Sequence, residues 1–368
     1  MTRILVDLLF YTGTRGGMES YARNLYRALG AGPYGFEHVG FEYVGYASRE
    51  LAAMDTSWFP GEVIDSGISG ESRVAWARGE LTAVPGAARR LGADLVHSPA
   101  NIGPWRSSVP LVLTVHDLLP FRHPEWVPGP YAPVLRALMR GAARRATRVL
   151  TVSRASGDDI EHVLEVPEDR IDVVPLAGGP DHLTQVATER HDGFMLSVGN
   201  RMPHKNFGML LEALALIPGR ERPHLVITGG HGDDPLAPIV ERLGLRTHVQ
   251  LLGWVADDEL ERLYGEASCV VLPTLFEGFG LPVLEAMAHG CPVICSDLPV
   301  LREIGGGAAV YVDPESVTSL AQGIRRLLSD PAKRAELSAL GRERAAGFTW
   351  TAAARGTVRS FQRALDAS

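Results

Sequence analysis

Short runs of aliphatic and β-branched residues alternate with helix-like patterns along the whole chain of 368 residues. This alternation predicts strand–helix units arranged in parallel sheets, which is the α/β fold class. In the first half, the predicted strands are Ile4–Phe10, Phe36–Tyr46, Leu95–Ser98, Leu111–His116, Val149–Ser153 and Ile171–Pro175. In the second half, they are Phe194–Val198, Leu225–Thr228, Gln250–Leu252, Cys269–Pro273, Val293–Ser296 and Ala309–Val312. We expect helices between successive strands.

The first helix shows the helical pattern most clearly. Apolar residues recur at spacings of three, four and seven, which places them on one helix face. They are Met18, Tyr21, Ala22, Leu25, Ala28 and Leu29. The pattern starts directly after Gly16-Gly17 and ends at Gly30, a residue type that commonly ends helices.

The periodic pattern weakens between Leu176 and Asp192, where the chain contains Gly178-Gly179-Pro180. Such a segment is typical of a connection between domains, and the chain length fits two domains. We therefore predict a Rossmann-like domain over 1–177, a linker over 178–192 and a second Rossmann-like domain over 193–349. A helix over 350–368 is expected to pack back on the first domain. Two lobes predict a cleft between them.

Composition and charge exclude several classes of protein. The chain is 45% hydrophobic and 21% charged, with a formal net charge of -7, so a nucleic-acid-binding surface is not expected. Its three cysteines, Cys269, Cys291 and Cys295, lie in or beside apolar runs and do not suggest a disulfide framework. There is no basic leader, cleavage site or apolar stretch of membrane-spanning length, so we expect a cytoplasmic protein.

The segment Phe276–Ala288 combines a tight loop with the start of a helix. Gly278 and Gly280 allow the backbone to approach a ligand closely, and the free amides of a helix N-terminus attract phosphate or sugar oxygens. Glu277 lies on the loop and Glu285 follows eight residues later on the helix. Carboxylates accept hydrogen bonds from vicinal hydroxyls, so this segment predicts a site for a sugar and a phosphate.

Two cations lie in the loop Ser197–Asn206, which follows the first strand of the second half. A leaving diphosphate gains negative charge as its bond to a sugar breaks, so fixed cations lower the barrier most at that moment. Lys205 and Arg201 are the candidates for this role. The alternative is that they are ordinary solvated loop cations.

The first half contributes two further candidates. The loop Gly13–Glu19, with Gly16 and Gly17, lies between a strand and a helix and is either a phosphate-binding loop or a plain glycine turn. His116 is at the carboxyl end of a predicted strand, where ligands of open α/β sheets collect. Asp117 either orients His116 or caps the next turn.

The segment Phe276–Ala288 resembles the Glu-x7-Glu signature of the family 4 retaining glycosyltransferases, in their bacterial mannosyl- and glucosyltransferase-like branch. This resemblance extends over nearly the whole chain. It implies the GT-B fold, in which two Rossmann-like doubly wound domains face each other across a cleft. It also implies that a hexose is transferred from a nucleotide diphosphate sugar to an acceptor hydroxyl, with retention of configuration and with neither a metal nor a cofactor.

The resemblance also assigns roles to residues. Glu277 and the loop amides after it would hold the donor hexose, Glu285 the ribose, and Asp117 would lie on the acceptor side. The implied catalytic residues are His116, Glu277, Lys205 and Arg201. The predicted donor-binding residues are Gly16, Gly17, Asn200, Arg201, Lys205, Trp254, Val255, Glu277, Gly278, Phe279, Gly280, Leu281 and Glu285.

Two of these assignments carry a qualification in the sequence itself. The family usually has an arginine directly after the glycine of the cation loop, where this chain has Asn200 and displaces the arginine to Arg201. Trp254 either borders the nucleobase or is a packed aromatic.

Several alternatives stay open at the level of sequence. Glu277 and Glu285 would also suit a glycoside hydrolase, and an epimerase or a catalytically silent subunit that binds sugar nucleotides would share the architecture. A zinc site at His289, Cys291 and Cys295 lacks a second ligand pair, so no metal is expected. The acceptor is a lipid-linked glycan, a polysaccharide or a small metabolite.

One basic helix bears on association with membranes. The arginines on or beside this helix form either a peripheral membrane-surface face or a plain solvated one, and they are Arg136, Arg140, Arg144, Arg145 and Arg148.

Overall fold

A computed structural model describes residues 1–14, 16–31, 40–127, 129, 131–179 and 193–367. The chain forms two compact units, one of Met1–Leu176 with Trp350–Ser368 and one of Ala177–Thr349. From residue 180 onward, the predicted linker 178–192 lies outside the described residues.

The first unit contains a seven-stranded sheet in which all neighbouring strands pair in parallel. Its strands are β1 (Thr2–Leu8), β2 (Phe41–Ala47), β3 (Glu62–Asp65), β4 (Leu95–Ser98), β5 (Leu111–Val115), β6 (Arg148–Thr151) and β7 (Ile171–Val173). Their order is β3-β2-β1-β4-β5-β6-β7, so the direction of winding reverses between β1 and β4. Ligands of doubly wound sheets bind at the carboxyl ends of the strands beside such a reversal.

Within the described residues, helices of the first unit lie between its strands. They are α1 (Gly17–Gly30), α2 (Arg49–Ala52), α3 (Arg73–Arg90), α4 (Leu119–Arg122), α5 (Tyr131–Arg145) and α6 (Arg154–Leu164). Three begin at serines whose side chains accept a backbone N–H of the first turn: Ser48, Ser72 and Ser153. Such caps satisfy amides that have no partner within the helix.

The second unit contains a six-stranded parallel sheet of the same kind. Its strands are β8 (Met195–Val198), β9 (Leu225–Gly230), β10 (Val249–Gly253), β11 (Cys269–Leu272), β12 (Val293–Ser296) and β13 (Ala309–Val312). The order β10-β9-β8-β11-β12-β13 reverses between β8 and β11. The loops that follow these two strands carry Lys205 and Glu277.

Helices cover the sheet of the second unit and bury a continuous apolar core. They are α7 (Phe207–Leu216), α8 (Ala237–Arg242), α9 (Asp257–Glu266), α10 (Leu281–Ala288), α11 (Pro299–Gly305), α12 (Val317–Leu328) and α13 (Pro331–Ala346). Leu210 and Leu214 of α7 and Ile324 of α12 are fully buried in this core with Ile227 and Val271 from the strands. Burying each such side chain contributes about 1.5–3 kcal/mol to the free energy of unfolding.

The last helix, α14 (Trp350–Asp366), belongs to the first unit. Its Phe361 is fully buried and lies edge-on to Phe41 and His97. Ser360 and Arg363 donate hydrogen bonds to the Asp172 carboxylate of β7, both at 2.7 Å. Helix α14 therefore packs on the first unit through apolar and ionic contacts.

The predicted α/β class with two doubly wound parallel sheets is confirmed. The predicted strand Phe36–Tyr46 is observed as Phe41–Ala47, and residues 36–39 lie outside the described part of the chain. Strand β3 was not predicted, because it is a four-residue strand at the sheet edge whose two end residues are exposed. Short, half-exposed edge strands lack the continuous apolar run that identifies buried parallel strands.

Candidate active site

The loop after β8 places the ammonium group of Lys205 against Glu277. Lys205 Nζ donates to Glu277 Oε1 at 2.7 Å, and the two side chains are 16% and 14% exposed. Asn206 follows with a φ of 56°, and its Nδ2 donates to the carbonyl oxygens of Pro273 and Pro314, both at 3.1 Å. These bonds hold the Lys205 loop against the end of β11.

The loop after β11 is fixed to the same place from its own side. Thr274 Oγ1 donates to the carbonyls of His204 and Phe276, and the Leu275 amide donates to the His204 carbonyl at 2.7 Å. The loop carries Glu277 and leads into α10. The structure thus brings together Lys205 and Glu277, which are 72 residues apart in sequence.

Helix α10 begins at a glycine that no other residue can replace without strain. Gly280 has φ 92° and ψ 44°, and a Cβ atom there would lie 2.5 Å from Leu301 Cδ2. Gly278 and the buried Phe279 precede it, and Leu281 is the first helical residue. Pro282 has no N–H and the Val283 amide donates to the Gly280 carbonyl at 2.9 Å, so the Leu281 amide and the amides of the preceding loop are the donors that this end can offer to an anion or a hydroxyl oxygen.

Glu285 lies one turn inside α10 and receives a hydrogen bond from a residue that the sequence gave no reason to select. Tyr264 of α9 donates its hydroxyl to Glu285 Oε2 at 2.7 Å, and its ring stacks on His289. Desolvation raises the pKa of Glu285 to about 7, although the Tyr264 hydrogen bond acts in the opposite direction. In sequence, Tyr264 looks like any apolar position of an amphipathic helix, because periodicity does not show where a hydroxyl is directed.

The guanidinium of Arg201 is bound by acceptors of the protein itself. Its guanidinium forms an ion pair with Asp234 at 2.7 Å, and these side chains are 8% and 14% exposed. It also donates to four backbone carbonyls, those of Gly199, Ile227, Thr228 and Leu252. Asn200, the residue before it, accepts the Met202 amide at its Oδ1. This arrangement differs from the diphosphate contact expected for Arg201.

Trp254 projects from the end of β10 and is 54% exposed. It therefore lies outside the core, and its packing is limited to one side of the ring. One ring face stacks on His231, with centroids 5.5 Å apart and an interplanar angle of 18°. Val255 follows and is partly buried.

In the first unit, a buried carboxylate shapes the glycine loop. Glu19 of α1 accepts the amides of Thr12 and Gly13 at 2.6 and 3.1 Å, so the loop is folded around its side chain. Gly16 has φ 63°, whereas Gly17 has an ordinary φ and open space beside it. Of these two glycines, Gly16 is therefore the one that backbone geometry requires. Arg15 lies outside the described residues.

His116 follows β5 and is neutral at physiological pH, because desolvation lowers its pKa to about 4. Its Nε2 lies 2.8 Å from the Pro99 carbonyl oxygen, which can only accept, so Nε2 carries the proton. The lone pair is then on Nδ1. The Tyr21 ring packs edge-on to the His116 imidazole, with ring centroids 4.7 Å apart. The backbone amide of His116 donates to Asn101 Oδ1. His116 can thus accept a hydrogen bond from a hydroxyl through Nδ1.

Asp117 has the contact that the capping alternative predicts, since its Oδ1 accepts the Leu119 amide at 2.9 Å. This bond supports the turn that leads into α4.

Residues with metal-binding side chains are scattered. Across the described ranges, no group of three or more His, Cys, Asp or Glu side chains could hold a metal ion. Cys269, Cys291 and Cys295 are buried and form no disulfide. None of the helices in the described part of the chain combines the length and the apolar character that crossing a bilayer requires.

The two family models that match the chain divide it almost as the two units do. "Glycosyltransferase Family 4" matches residues 15–177, and "Glycosyl transferases group 1" matches residues 182–344. Escherichia coli O-antigen chain mannosyltransferase B is 33% identical over 265 residues, which cover 68% of this chain and 70% of that protein.

Two solved structures show the same fold. Sucrose-phosphate synthase from Thermosynechococcus elongatus covers 100% of both chains with a TM-score of 0.80 at 21% identity. Anabaena HepE, solved in complex with UDP-glucose, covers 98% of this chain and is itself covered completely, with a TM-score of 0.75 at 18% identity.

Proposed function

The chain belongs to the group 1 and family 4 glycosyltransferases, and on that premise we propose that it is a retaining, metal-independent hexosyltransferase that uses a nucleoside diphosphate sugar. Membership of this family confirms the resemblance found in the sequence and indicates that the chain is an enzyme that transfers sugars. The mechanism, the donor and the acceptor are the parts that we propose.

One observation carries the proposal, namely the contact of Lys205 with Glu277 beside the start of α10, with Glu285 one turn further on. A nucleotide sugar has three polar parts, and each could bind one of these groups. The diphosphate would bind Lys205 and the amides of the loop, the hexose hydroxyls would donate to Glu277, and the ribose hydroxyls to Glu285. Each contact pairs an acceptor with a donor or a cation with an anion.

The ion pair between Lys205 and Glu277 gives way when the donor binds. In the structure, the two charges neutralise each other at 2.7 Å. The diphosphate then forms an ion pair with Lys205, and the hexose hydroxyls donate hydrogen bonds to Glu277. As the sugar–phosphate bond lengthens, negative charge grows on the diphosphate, so Lys205 binds the transition state more tightly than the ground state.

We propose that no divalent ion takes part, because the ammonium of Lys205 and the helix amides supply the positive charge for the leaving group. Retention is proposed from the family resemblance, with an oxygen of the leaving phosphate helping to deprotonate the acceptor hydroxyl on the same face. We assign no covalent nucleophile. We propose that neutral His116 accepts a hydrogen bond from a sugar hydroxyl through Nδ1.

The names of the relatives narrow the substrates that we propose. O-antigen chain mannosyltransferase B favours mannose as the hexose and a glycan as the acceptor, whereas the HepE complex makes UDP-glucose the alternative donor. A lipid-linked glycan carries the same hydroxyl chemistry as a free one, and a small hydroxylated metabolite is the third possibility.

A donor screen tests the proposal. GDP-mannose, UDP-glucose and other nucleotide sugars are added in a thermal-shift assay to the wild type, to Glu285→Ala and to Glu261→Ala, a control at an exposed glutamate of α9. A ligand at a hundred times its Kd stabilises the fold by about 2.7 kcal/mol. We expect the wild type and Glu261→Ala to respond to the same donor and Glu285→Ala to lose the response.

Turnover separates the remaining alternatives. Nucleoside diphosphate released only in the presence of acceptor, and unchanged by a chelator, supports metal-independent transfer. Release without acceptor indicates a hydrolase, and binding without release indicates a silent subunit. A response of Glu285→Ala equal to that of the wild type would remove Glu285 from the nucleotide site.

A further inference from the structure

The guanidinium of Arg201 has a protein acceptor for every one of its five N–H groups. Nε donates to Asp234 Oδ2 at 2.9 Å, and Nη2 donates to the same oxygen at 2.7 Å and to the Leu252 carbonyl at 3.3 Å. Nη1 donates to the carbonyls of Gly199 and Thr228 at 3.2 and 2.7 Å. No donor in this arrangement is directed to a ligand, and the charge is balanced by Asp234.

The carbonyls that Arg201 binds come from three adjacent strands. Gly199 directly follows β8, Thr228 belongs to β9 and Leu252 to β10. These strands are neighbours in the sheet order β10-β9-β8. One side chain therefore joins the carboxyl ends of three strands at the edge where the Lys205 loop begins.

Two glycines of β9 leave space, Gly230 for the Arg201–Asp234 pair and Gly229 for the backbone of the Arg201 loop. A Cβ at Gly230 would lie 2.9 Å from Asp234 Oδ2 and 3.2 Å from Arg201 Nη2. Gly229 has φ 89°, and a Cβ there would lie 2.4 Å from the Gly199 carbonyl oxygen. The backbone of β9 is thus built to bring the Arg201 loop and the Asp234 loop together.

Asp234 is held as a carboxylate. Burial raises its pKa, but the hydrogen bonds from Arg201 and from the Leu236 amide outweigh burial, so the pKa lies below its usual range. The pair is therefore ionic at neutral pH. Phe207 lies beneath the guanidinium at 5.3 Å and adds a cation–π contact.

We propose that Arg201 and Asp234 act as a positioning pair that fixes the Gly199–Lys205 loop for the donor diphosphate, an inference that rests on the proposed function. Lys205 is then the only one of the two loop cations that contacts the diphosphate. The displaced arginine then has a role of its own. Because Arg201 uses all its donors to hold strand ends, it acts on the donor only through the loop it fixes.

The test compares Asp234→Asn, Arg201→Lys and the double variant, with Asp233→Asn as the matched control at the exposed neighbouring carboxylate. Asparagine keeps an acceptor for the Leu236 amide but removes the charge. Misplacement of a catalytic loop by about 1 Å can cost on the order of 10²-fold in rate. We expect each single variant to lower kcat/KM for the donor about 10- to 100-fold, the double variant to lower it no further, and Asp233→Asn to match the wild type.

A direct contact between Arg201 and the diphosphate gives the opposite pattern. Asp234→Asn would then free the guanidinium and leave donor binding equal or tighter, and Arg201→Lys would retain most of the activity because lysine also binds phosphate. Either result overturns the positioning pair. Melting temperatures of all variants are measured so that a loss of folding is recognised.

Hydrogen exchange tests the pair without any substrate. In the unliganded enzyme, we expect Asp234→Asn to speed amide exchange in residues 199–205 at least about tenfold, whereas Asp233→Asn leaves it unchanged. Unchanged exchange in Asp234→Asn refutes the proposal. A wild type that binds no nucleotide sugar would refute the proposed function instead, and the exchange result would still decide whether the pair fixes the loop.

Discussion

Glu285 has an environment that favours the neutral acid over the carboxylate. Desolvation raises its pKa to about 7, so near neutral pH a sizeable fraction of the side chain is protonated. The hydroxyl of Tyr264 stabilises the carboxylate by donating to it at 2.7 Å. In the proposed function the Glu285 carboxylate accepts hydrogen bonds from the ribose, so Tyr264 would help to maintain the form that binds. We therefore expect the affinity of the protein for the donor to depend on pH.

The variant Tyr264→Phe isolates this contribution. It removes the donor to Glu285 Oε2, so the pKa of Glu285 should rise further. A hydrogen bond to a charged group contributes about 1.5–3 kcal/mol, which corresponds to about one pKa unit or more. We expect the midpoint for loss of nucleoside diphosphate affinity on acidification to move up by about one pH unit, as measured by calorimetry between pH 5.5 and 9.

Tyr43→Phe in β2 of the first unit is the control for this experiment, because it deletes a hydroxyl far along the chain from Glu285. Its pH profile should follow that of the wild type. A Tyr264→Phe profile that keeps the wild-type midpoint would show that the hydroxyl does not tune Glu285.

The variant Glu285→Gln separates the effect of Glu285 on folding stability from its effect on donor binding. The folded-state pKa lies above the ordinary value of 4.5, so the neutral form favours folding, and that contribution is lost as the pH rises through about 7. Glutamine stays neutral and still accepts from Tyr264. We expect the variant to be more stable than the wild type at pH 8, by at most about 3 kcal/mol because the side chain is only partly buried, and equally stable near pH 4.

Denaturant unfolding at both pH values measures this difference, with Glu261→Gln as the exposed control. Donor binding should be weaker in Glu285→Gln although the fold is stronger. Equal stability of the variant and the wild type at pH 8 would contradict the raised pKa.

Residue types and spacing identified Glu277, Glu285 and Lys205 as candidates, because glycines and acids in a strand–loop–helix pattern have few other uses. The same reasoning missed Tyr264 and Asp234. Their functional groups act on other side chains across loops, and the spacing of 21 residues between Tyr264 and Glu285 follows from packing of α9 beside α10, which no periodicity reveals. Arg201 was selected for its charge, but its partners were not predictable.

At the scale of elements, the start of α10 depends on the conformation of a single residue. Gly280 has φ 92°, which residues with a side chain adopt only at a cost. The strands around it were predictable, because buried parallel strands are continuous apolar runs. The left-handed turn was suggested only by the presence of a glycine, and the contact with Leu301 that excludes a Cβ comes from α11.

Gly280→Ala tests this turn. The alanine Cβ would lie 2.5 Å from Leu301 Cδ2, and the positive φ adds about 1–2 kcal/mol of strain. We expect unfolding stability to fall by about 2 kcal/mol and donor affinity to fall about tenfold, because the loop amides move. Gly307→Ala, at a position with open space, is the control and should change neither quantity.

At the scale of the whole molecule, the chain leaves the first unit at Leu176 and returns to it at Trp350 to add α14. The sequence predicted this helix from its position after the second domain. The polar contacts that hold it were not predictable, since Asp172 occurs in a short strand and its three partners come from two segments that are distant from each other in sequence. Arg148 lies in β6, and Ser360 and Arg363 lie in α14.

Asp172→Asn tests how far these contacts stabilise the first unit. Burial raises the pKa of Asp172, but hydrogen bonds from Arg148 and Ser360 and the charges of Arg148 and Arg363 lower it to below its usual value. Its stabilising contribution is therefore present above the unfolded pKa and is lost as the pH falls through the lower folded pKa. Removing one partner of a buried ion pair costs about 3–5 kcal/mol.

We expect Asp172→Asn to unfold at lower denaturant concentration than the wild type at pH 7, and the difference to shrink as the pH falls below about 4. Asp169→Asn is the control, because it keeps the backbone carbonyl that Arg148 binds and removes only an exposed charge. Because α14 is bound through Asp172, the variant should also expose α14 to protease before the remaining helices of the first unit. Protection of α14 equal to that of the wild type would mean that the buried Phe361 and its apolar neighbours hold the helix without the ionic contacts.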